Sequence, residues 1–165
     1  LIVITAGCIS KSTDPEKVFW NWHSAAQARN YSEMFKYEQL NMDNVIYCYE
    51  TILEGKWENV IEKDRKDFIN NYYVKAVKKA LQSFDEKNYH SFLRTDPALK
   101  LEIESYEVKK DIVKMWLVGD FSGDELIKMQ KSDDGNTWNI INPLGYHSYI
   151  PTRKHIREMM DIPEK

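Results

Sequence analysis

Apolar side chains recur with one period up to Phe84 and with another from Leu99 onward. Over residues 64 to 84, Phe68, Ile69, Tyr72, Tyr73, Ala76, Val77, Ala80, Leu81 and Phe84 fall three or four positions apart, which lays one wide stripe along a helix. Lys75, Lys78 and Lys79 fall on or near its opposite side. A stripe that broad must be buried against something equally broad, and the second half of the chain supplies a sheet. Leu101, Ile103 and Ser105 alternate with Glu102 and Glu104, and Lys109-Lys110-Asp111 can turn the chain into an apolar strand from Ile112 to Val118. Ser122-Gly123-Asp124 marks another turn before Leu126, Ile127 and Met129. Asp133-Asp134-Gly135-Asn136 is a hairpin signal, and Thr137 to Ile141 closes the set with Trp138 and Ile140 on one face. Helices first and strands afterwards predict an α+β protein: N-terminal helices packed on a curved, four-stranded antiparallel meander.

The helical half has its own punctuation. Thr13 and Glu16 match a capping box around Pro15, whose missing N–H costs nothing in a first turn. Val18, Phe19, Trp22, Ala25 and Ala26 follow at helical spacing, and the pattern breaks at Arg29-Asn30 before a short second helix with Tyr31, Met34 and Phe35, which can extend to Glu38. Val45, Cys48, Tyr49, Ile52 and Leu53 predict a third helix closed by Gly55, with a strand as the alternative because Ile46, Tyr47 and Tyr49 also favour sheets. Trp57, Val60 and Ile61 continue an apolar face. After Asn142-Pro143-Leu144-Gly145 ends regular structure, a terminal helix is expected from Thr152 to Met160 with Ile156, Met159 and Met160 inward.

At 165 residues, with 42% hydrophobic and 30% charged side chains, the chain fits one folded domain rather than a disordered segment. Its net charge of −3 comes from interleaved Lys and Glu, which argues against a nucleic-acid-binding face. The one basic cluster, Arg153, Lys154, His155 and Arg157, reads as the solvated face of the terminal helix, with lipid headgroup contact as the alternative.

The front of the chain, Leu1-Ile2-Val3-Ile4-Thr5-Ala6-Gly7-Cys8, is an apolar run ending in two small residues and a cysteine. It resembles the lipobox of bacterial lipoprotein signal peptides, with Thr5 standing where an aliphatic residue is usual. The resemblance implies that Cys8 carries a diacylglyceryl group and becomes the first residue of the mature protein. Residues 1–7 are then the remnant of a signal that lacks its basic start, residues 8–13 a lipidated cysteine and tether, and residues 14–165 the folded domain. The implied address is the cell membrane or outer membrane, facing outside the cytoplasm. Two acyl chains hold a protein at a bilayer where one is marginal, and no segment approaches the roughly 20 apolar residues a membrane-spanning helix needs. The competing reading makes Leu1 to Ile4 an edge strand and Cys8 a buried thiol; a Cys8–Cys48 disulfide is a further option.

A second resemblance rests on Asp14-Pro15-Glu16, on Asn30-Tyr31 to Phe35, and on the closing stretch from Asp134-Gly135 to Ile140. Helices followed by a meander with these motifs are similar to the nuclear transport factor 2-like superfamily, many of whose bacterial members are lipoproteins. The motifs cover the ends of the chain; residues 40 to 97 carry more helix than that family usually has. The resemblance implies a cone whose open end can hold a small molecule, and some members are isomerases, cyclases or dehydratases, so the fold alone does not settle function.

The residues themselves offer little chemistry. His23, His90, His147 and His155 form no pair at ligand spacing, and no phosphate loop, nucleophile elbow or Cys-x-x-Cys occurs, so neither a metal nor a cofactor is implied. Cys48 sits among apolar residues that raise a thiol's pKa and quench its reactivity. His23, beside Trp22, and Tyr47 are the candidates for a pocket in the cone; the plainer reading of His23 is an ordinary helix residue. Tyr146-His147-Ser148-Tyr149 is either a binding loop or a cover for a sheet edge. Five Trp and ten Tyr either fill the core or line an interface. The preferred function is a lipid-anchored, non-enzymatic domain that binds a partner protein or a small apolar ligand. The alternatives are a cone-pocket enzyme of isomerase or hydrolase type and a structural protein of envelope assembly.

Overall fold

The computed structural model describes residues 13–83, 100–119, 125–141 and 149–163. Helix α1 (Pro15–Gln27) begins at Asp14, whose carboxylate accepts the Glu16 N–H at 3.0 Å. The cap therefore lies one residue later than the predicted Thr13–Glu16 box, because Asp at that position puts Pro15 in the first turn. Val18, Phe19, Trp22, Ala25 and Ala26 are all buried, as the spacing predicts. The helix stops at Arg29, which takes a left-handed φ of 53°, and the Asn30 side chain then caps α2 (Tyr31–Met34) by accepting the Glu33 N–H at 3.2 Å. A 3₁₀ turn over Phe35–Tyr37 leads to Gln39, whose N–H donates to the Ile140 carbonyl at 2.9 Å and ties this corner to the sheet.

Helix α3 (Met42–Leu53) decides the helix-or-strand ambiguity in favour of the helix, with Val45, Cys48 and Ile52 in the core. Its left-handed terminator is Glu54 at φ 53°, one residue before the predicted Gly55. A 3₁₀ turn over Trp57–Asn59 buries Trp57 edge-on against Tyr49 and Phe68, with the Arg65 guanidinium over its ring at 5.5 Å. The apolar face predicted to run on through Ile61 does not, since Ile61 is 63% exposed.

Helices α4 (Glu62–Asp67) and α5 (Val74–Gln82) form one unbroken helical run through a π-helical segment, Phe68–Tyr73. The wider π turn puts Phe68 and Tyr73, five residues apart, on one buried face, which Ala76, Val77, Ala80 and Leu81 extend. Ile69 and Tyr72, expected inside that stripe, are half-buried at its border. Helix α6 (Tyr149–Met159) begins ahead of the predicted Thr152 and buries Ile156 fully; Met159 and, one residue past its end, Met160 are half-buried.

The sheet is an antiparallel meander in the order β1 (Leu101–Lys109), β2 (Ile112–Gly119), β3 (Glu125–Lys131), β4 (Trp138–Ile141). Lys110, at φ 53°, makes the first turn, and Gly135, at φ 69°, makes the hairpin between β3 and β4. The inner face is set by Val113, Met115 and Leu117 of β2, Ile127 and Met129 of β3, and Ile140 of β4, all at most 2% exposed. A register shift between Ile103 and Ser105 changes the phase of β1, so that Tyr106 stands opposite Met115 and Val108 opposite Val113. The protein is thus α+β, with its helices gathered on one face of a four-stranded antiparallel sheet. The turn expected at 122–124 and the loop at 142–148 lie outside the described residues.

Candidate functional site

Cys8 and Leu1 to Ile4 lie outside the described residues. The first described residue, Thr13, is fastened to the start of β4: the Trp138 indole N–H donates to the Thr13 carbonyl at 2.9 Å. Trp138 opens β4 opposite Lys131 of β3, and the Lys131 ammonium lies over the Trp138 ring at 5.9 Å. Lys131 in turn donates its backbone N–H to the Asp111 carbonyl at 2.8 Å, in the turn between β1 and β2. Three separate pieces of chain therefore meet at one end of the sheet: Thr13 just ahead of α1, the β1–β2 turn and the β3–β4 hairpin. Within the hairpin, Ser132 holds the turn closed, its hydroxyl bonding Asp134 at 2.5 Å and accepting the Thr137 N–H at 3.1 Å.

Thr13, Lys131, Gly135, Asn136, Thr137 and Trp138 line a recess of about 110 Å³ here. Drug-sized ligands occupy pockets of about 300–1,000 Å³, so the recess admits a few waters or one small polar group. Sequence reasoning paired Trp138 with Ile140 on the sheet but not with Thr13. The only signal was that a buried Trp needs an acceptor for its N–H.

The predicted pocket residues are not brought together in this recess. His23 is buried on α1 within aromatic rings, stacked on Phe19 at 5.8 Å and edge-on to Trp20 at 5.6 Å. Tyr47, on α3, is 44% exposed, and the Arg153 guanidinium of α6 caps its ring at 5.4 Å. This contact also breaks up the basic cluster predicted as one solvated face: Arg153 lies on Tyr47, His155 is buried, and Arg157 donates to the Pro163 carbonyl at 2.8 Å.

Cys8 lies outside the described residues, and Cys48 is a free thiol at 1% exposure. Burial pushes its pKa up to about 11, against a weaker opposing pull from Arg153, so the nucleophilic thiolate is scarce near neutral pH. The other perturbed groups belong to surface contacts. Glu33 and Glu158 are lowered by their bonds to Lys36 (2.6 Å) and Lys79 (2.7 Å), and Tyr37 is raised by burial and by its bond to Glu33. Among the described residues no three His, Cys, Asp or Glu converge as a metal site, and no helix is long and apolar enough to cross a membrane.

Comparison with protein-family models, curated proteins and solved structures finds no match to this chain. Its own geometry carries the functional argument.

Proposed function

We propose that this chain is the folded domain of a lipid-anchored envelope protein, held outside the cytoplasm through Cys8 and acting by binding rather than by bond-making chemistry. The observation that supports this reading is the Thr13–Trp138 hydrogen bond, which fastens the chain to the sheet five residues after Cys8. A cysteine preceded by Ala6 and Gly7 fits the small-residue positions of a lipobox, and two acyl chains make a stable anchor. Binding is favoured over catalysis because the ionisable groups proposed for chemistry are engaged elsewhere. Burial keeps the Cys48 thiol protonated, and His23 is packed between aromatic rings. The partner is a protein of the envelope or a small apolar ligand. Helices on one face of a four-stranded meander also support a cone of the nuclear transport factor 2-like kind.

The test is the intact mass of the mature protein extracted from membranes. A chain beginning at Cys8 and heavier by a diacylglyceryl group is the expected result, and Cys8→Ala should release the domain from the membrane fraction. A native protein that keeps residues 1–7 and an unmodified Cys8, or a C8A variant that still fractionates with membranes, removes the anchor.

A further inference from the structure

If Cys8 is acylated, the length of chain behind it restricts how the domain can stand on the bilayer. Cys8 and Thr13 are five residues apart, and five residues span at most about 18 Å even fully extended. The acyl glycerol lies at headgroup level, and a headgroup layer is only about 5–8 Å deep. Thr13 can therefore stand no more than about 10–13 Å beyond the lipid surface. Thr13 is bound to Trp138, Trp138 lies beside Lys131, and Lys131 is bonded to Asp111. Strand β1 runs away from this end, and from Lys109 back to Glu102 it covers roughly 24 Å at about 3.4 Å per residue. A domain standing on the Glu102 end would hold Thr13 farther from the lipid than its attachment allows.

We infer that the end of the sheet carrying the β1–β2 turn and the β3–β4 hairpin is the surface laid against the lipid headgroups. This rests on the anchor proposed above. The side chains there fit an interfacial role. Val108 is 48% exposed and Tyr106 43% exposed on the inner face of an edge strand, although their partners Val113 and Met115 are fully buried. An aliphatic and a tyrosine beside Lys109 and Lys110 match the side-chain preferences of the boundary between lipid and water, where an apolar body sinks and a polar tip stays wet. The charges are mixed: Lys109 pairs with Glu107 at 2.7 Å, and Lys110 and Lys131 stand with Asp111, Asp133 and Asp134. The contact therefore depends on attachment and apolar insertion, and not on anionic lipid.

The experiment uses the full acylated chain in phosphatidylcholine vesicles whose acyl chains carry bromine, with a bimane fluorophore on one introduced cysteine. Lys110→Cys reports the proposed contact end and Glu102→Cys the opposite end. Cys48 is too buried to react in the native state, and an acylated Cys8 has no thiol to offer. The Lys110 site should lose more than about half its fluorescence, as expected for a group at the depth of interfacial insertion, and the Glu102 site little. Replacing half the lipid with phosphatidylglycerol should leave both values unchanged, and Val108→Glu should weaken quenching at Lys110 while the protein still floats with the vesicles. Quenching at Glu102 equal to or stronger than at Lys110, in protein that co-floats, overturns this orientation and leaves the anchor standing. Wild-type chain that takes up one bimane and stays off the vesicles removes the anchor itself, and the orientation with it.

Discussion

Tyr106 faces Met115 across β1 and β2, and Val108 faces Val113, yet only one member of each pair is covered. Met115 and Val113 are fully buried beneath the helices; Tyr106 and Val108 are nearly half exposed on the same face of the same sheet. The difference shows that alternation along a strand assigns a side chain to a face, while burial depends on how far the opposing layer reaches. The core cluster takes in the inner residues of β2, β3 and β4 and has Leu101 and Ile103 packed against it, but not Tyr106 or Val108. One row of the sheet is thus core at one end and surface at the other.

The largest test of that contrast is truncation on both sides of one pair. Met115→Ala should cost about 2–5 kcal/mol in chemical denaturation, since it removes transfer energy and leaves a cavity the helices cannot fill. Tyr106→Ala, directly opposite, should cost no more than about 1 kcal/mol, the range of one cross-strand pair contact. Equal losses at the two positions would mean that β1 is covered in solution.

The covered region also holds an ionisable group, and that gives a pH test. The Cys48 thiol has a folded-state pKa of about 11 against an ordinary value of 9.0. Between those values the native state retains a proton that the unfolded chain releases, so stability is full below pH 9 and falls as pH rises toward 11. The loss should be on the order of 2 kcal/mol. Tyr and Lys side chains titrate in the same window, so the measurement is the difference between wild type and Cys48→Ala, which should lack this part of the slope. A disulfide-exchange reagent at pH 8 should label Cys48 only as fast as the protein opens.

Much of this arrangement was legible in the sequence, and what was not has identifiable causes. The period change between Phe84 and Leu99 predicts helices followed by a sheet, and Lys110 and Gly135 turn the chain within the two segments that turn chemistry marks. Helix spacing at α1 and α3 names their buried faces correctly. The π segment was hidden because a stripe read at 3.6 residues per turn absorbs a five-residue step by admitting extra members, here Ile69 and Tyr72. Glu54 ends α3 in place of Gly55 because local backbone demand fell on the earlier residue, a choice that propensity does not make. Arg153 left the solvated face for the Tyr47 ring because that ring belongs to a helix distant in sequence. The Thr13–Trp138 bond joins residues 125 positions apart, and no local pattern encodes it.

A smaller effect is expected where the covered sheet meets the front of the domain. Trp138→Phe keeps an aromatic ring beneath Lys131 but removes the donor to the Thr13 carbonyl. The stability loss should be about 1–2 kcal/mol, the sum of one hydrogen bond and a reduced ring. Amide exchange in the first turn of α1 should rise more than exchange in α5, because the lost bond fastens only the front. Uniform acceleration across both helices would show that Trp138 acts as ordinary core.

A matched Val→Thr pair sharpens the comparison most, because two chemically identical changes are made within one residue pair. Val→Thr keeps the side-chain shape and replaces a methyl with a hydroxyl, so its cost depends on whether that hydroxyl reaches water. At Val113, fully buried, the hydroxyl meets the apolar core and should cost about 1–3 kcal/mol. At Val108, 48% exposed, it is hydrated and the change should stay within about 0.5 kcal/mol, while threonine keeps the β-branching the strand favours. The difference between the two variants measures the coverage of β1 without any change in volume. It should also be insensitive to vesicles for Val113→Thr. For Val108→Thr in the acylated protein, quenching at the Lys110 site should fall, since the hydroxyl is then carried toward lipid. Equal stability losses at 108 and 113 in the lipid-free domain would place a second layer over this end of the sheet, and the argument for its contact with headgroups would fail with it.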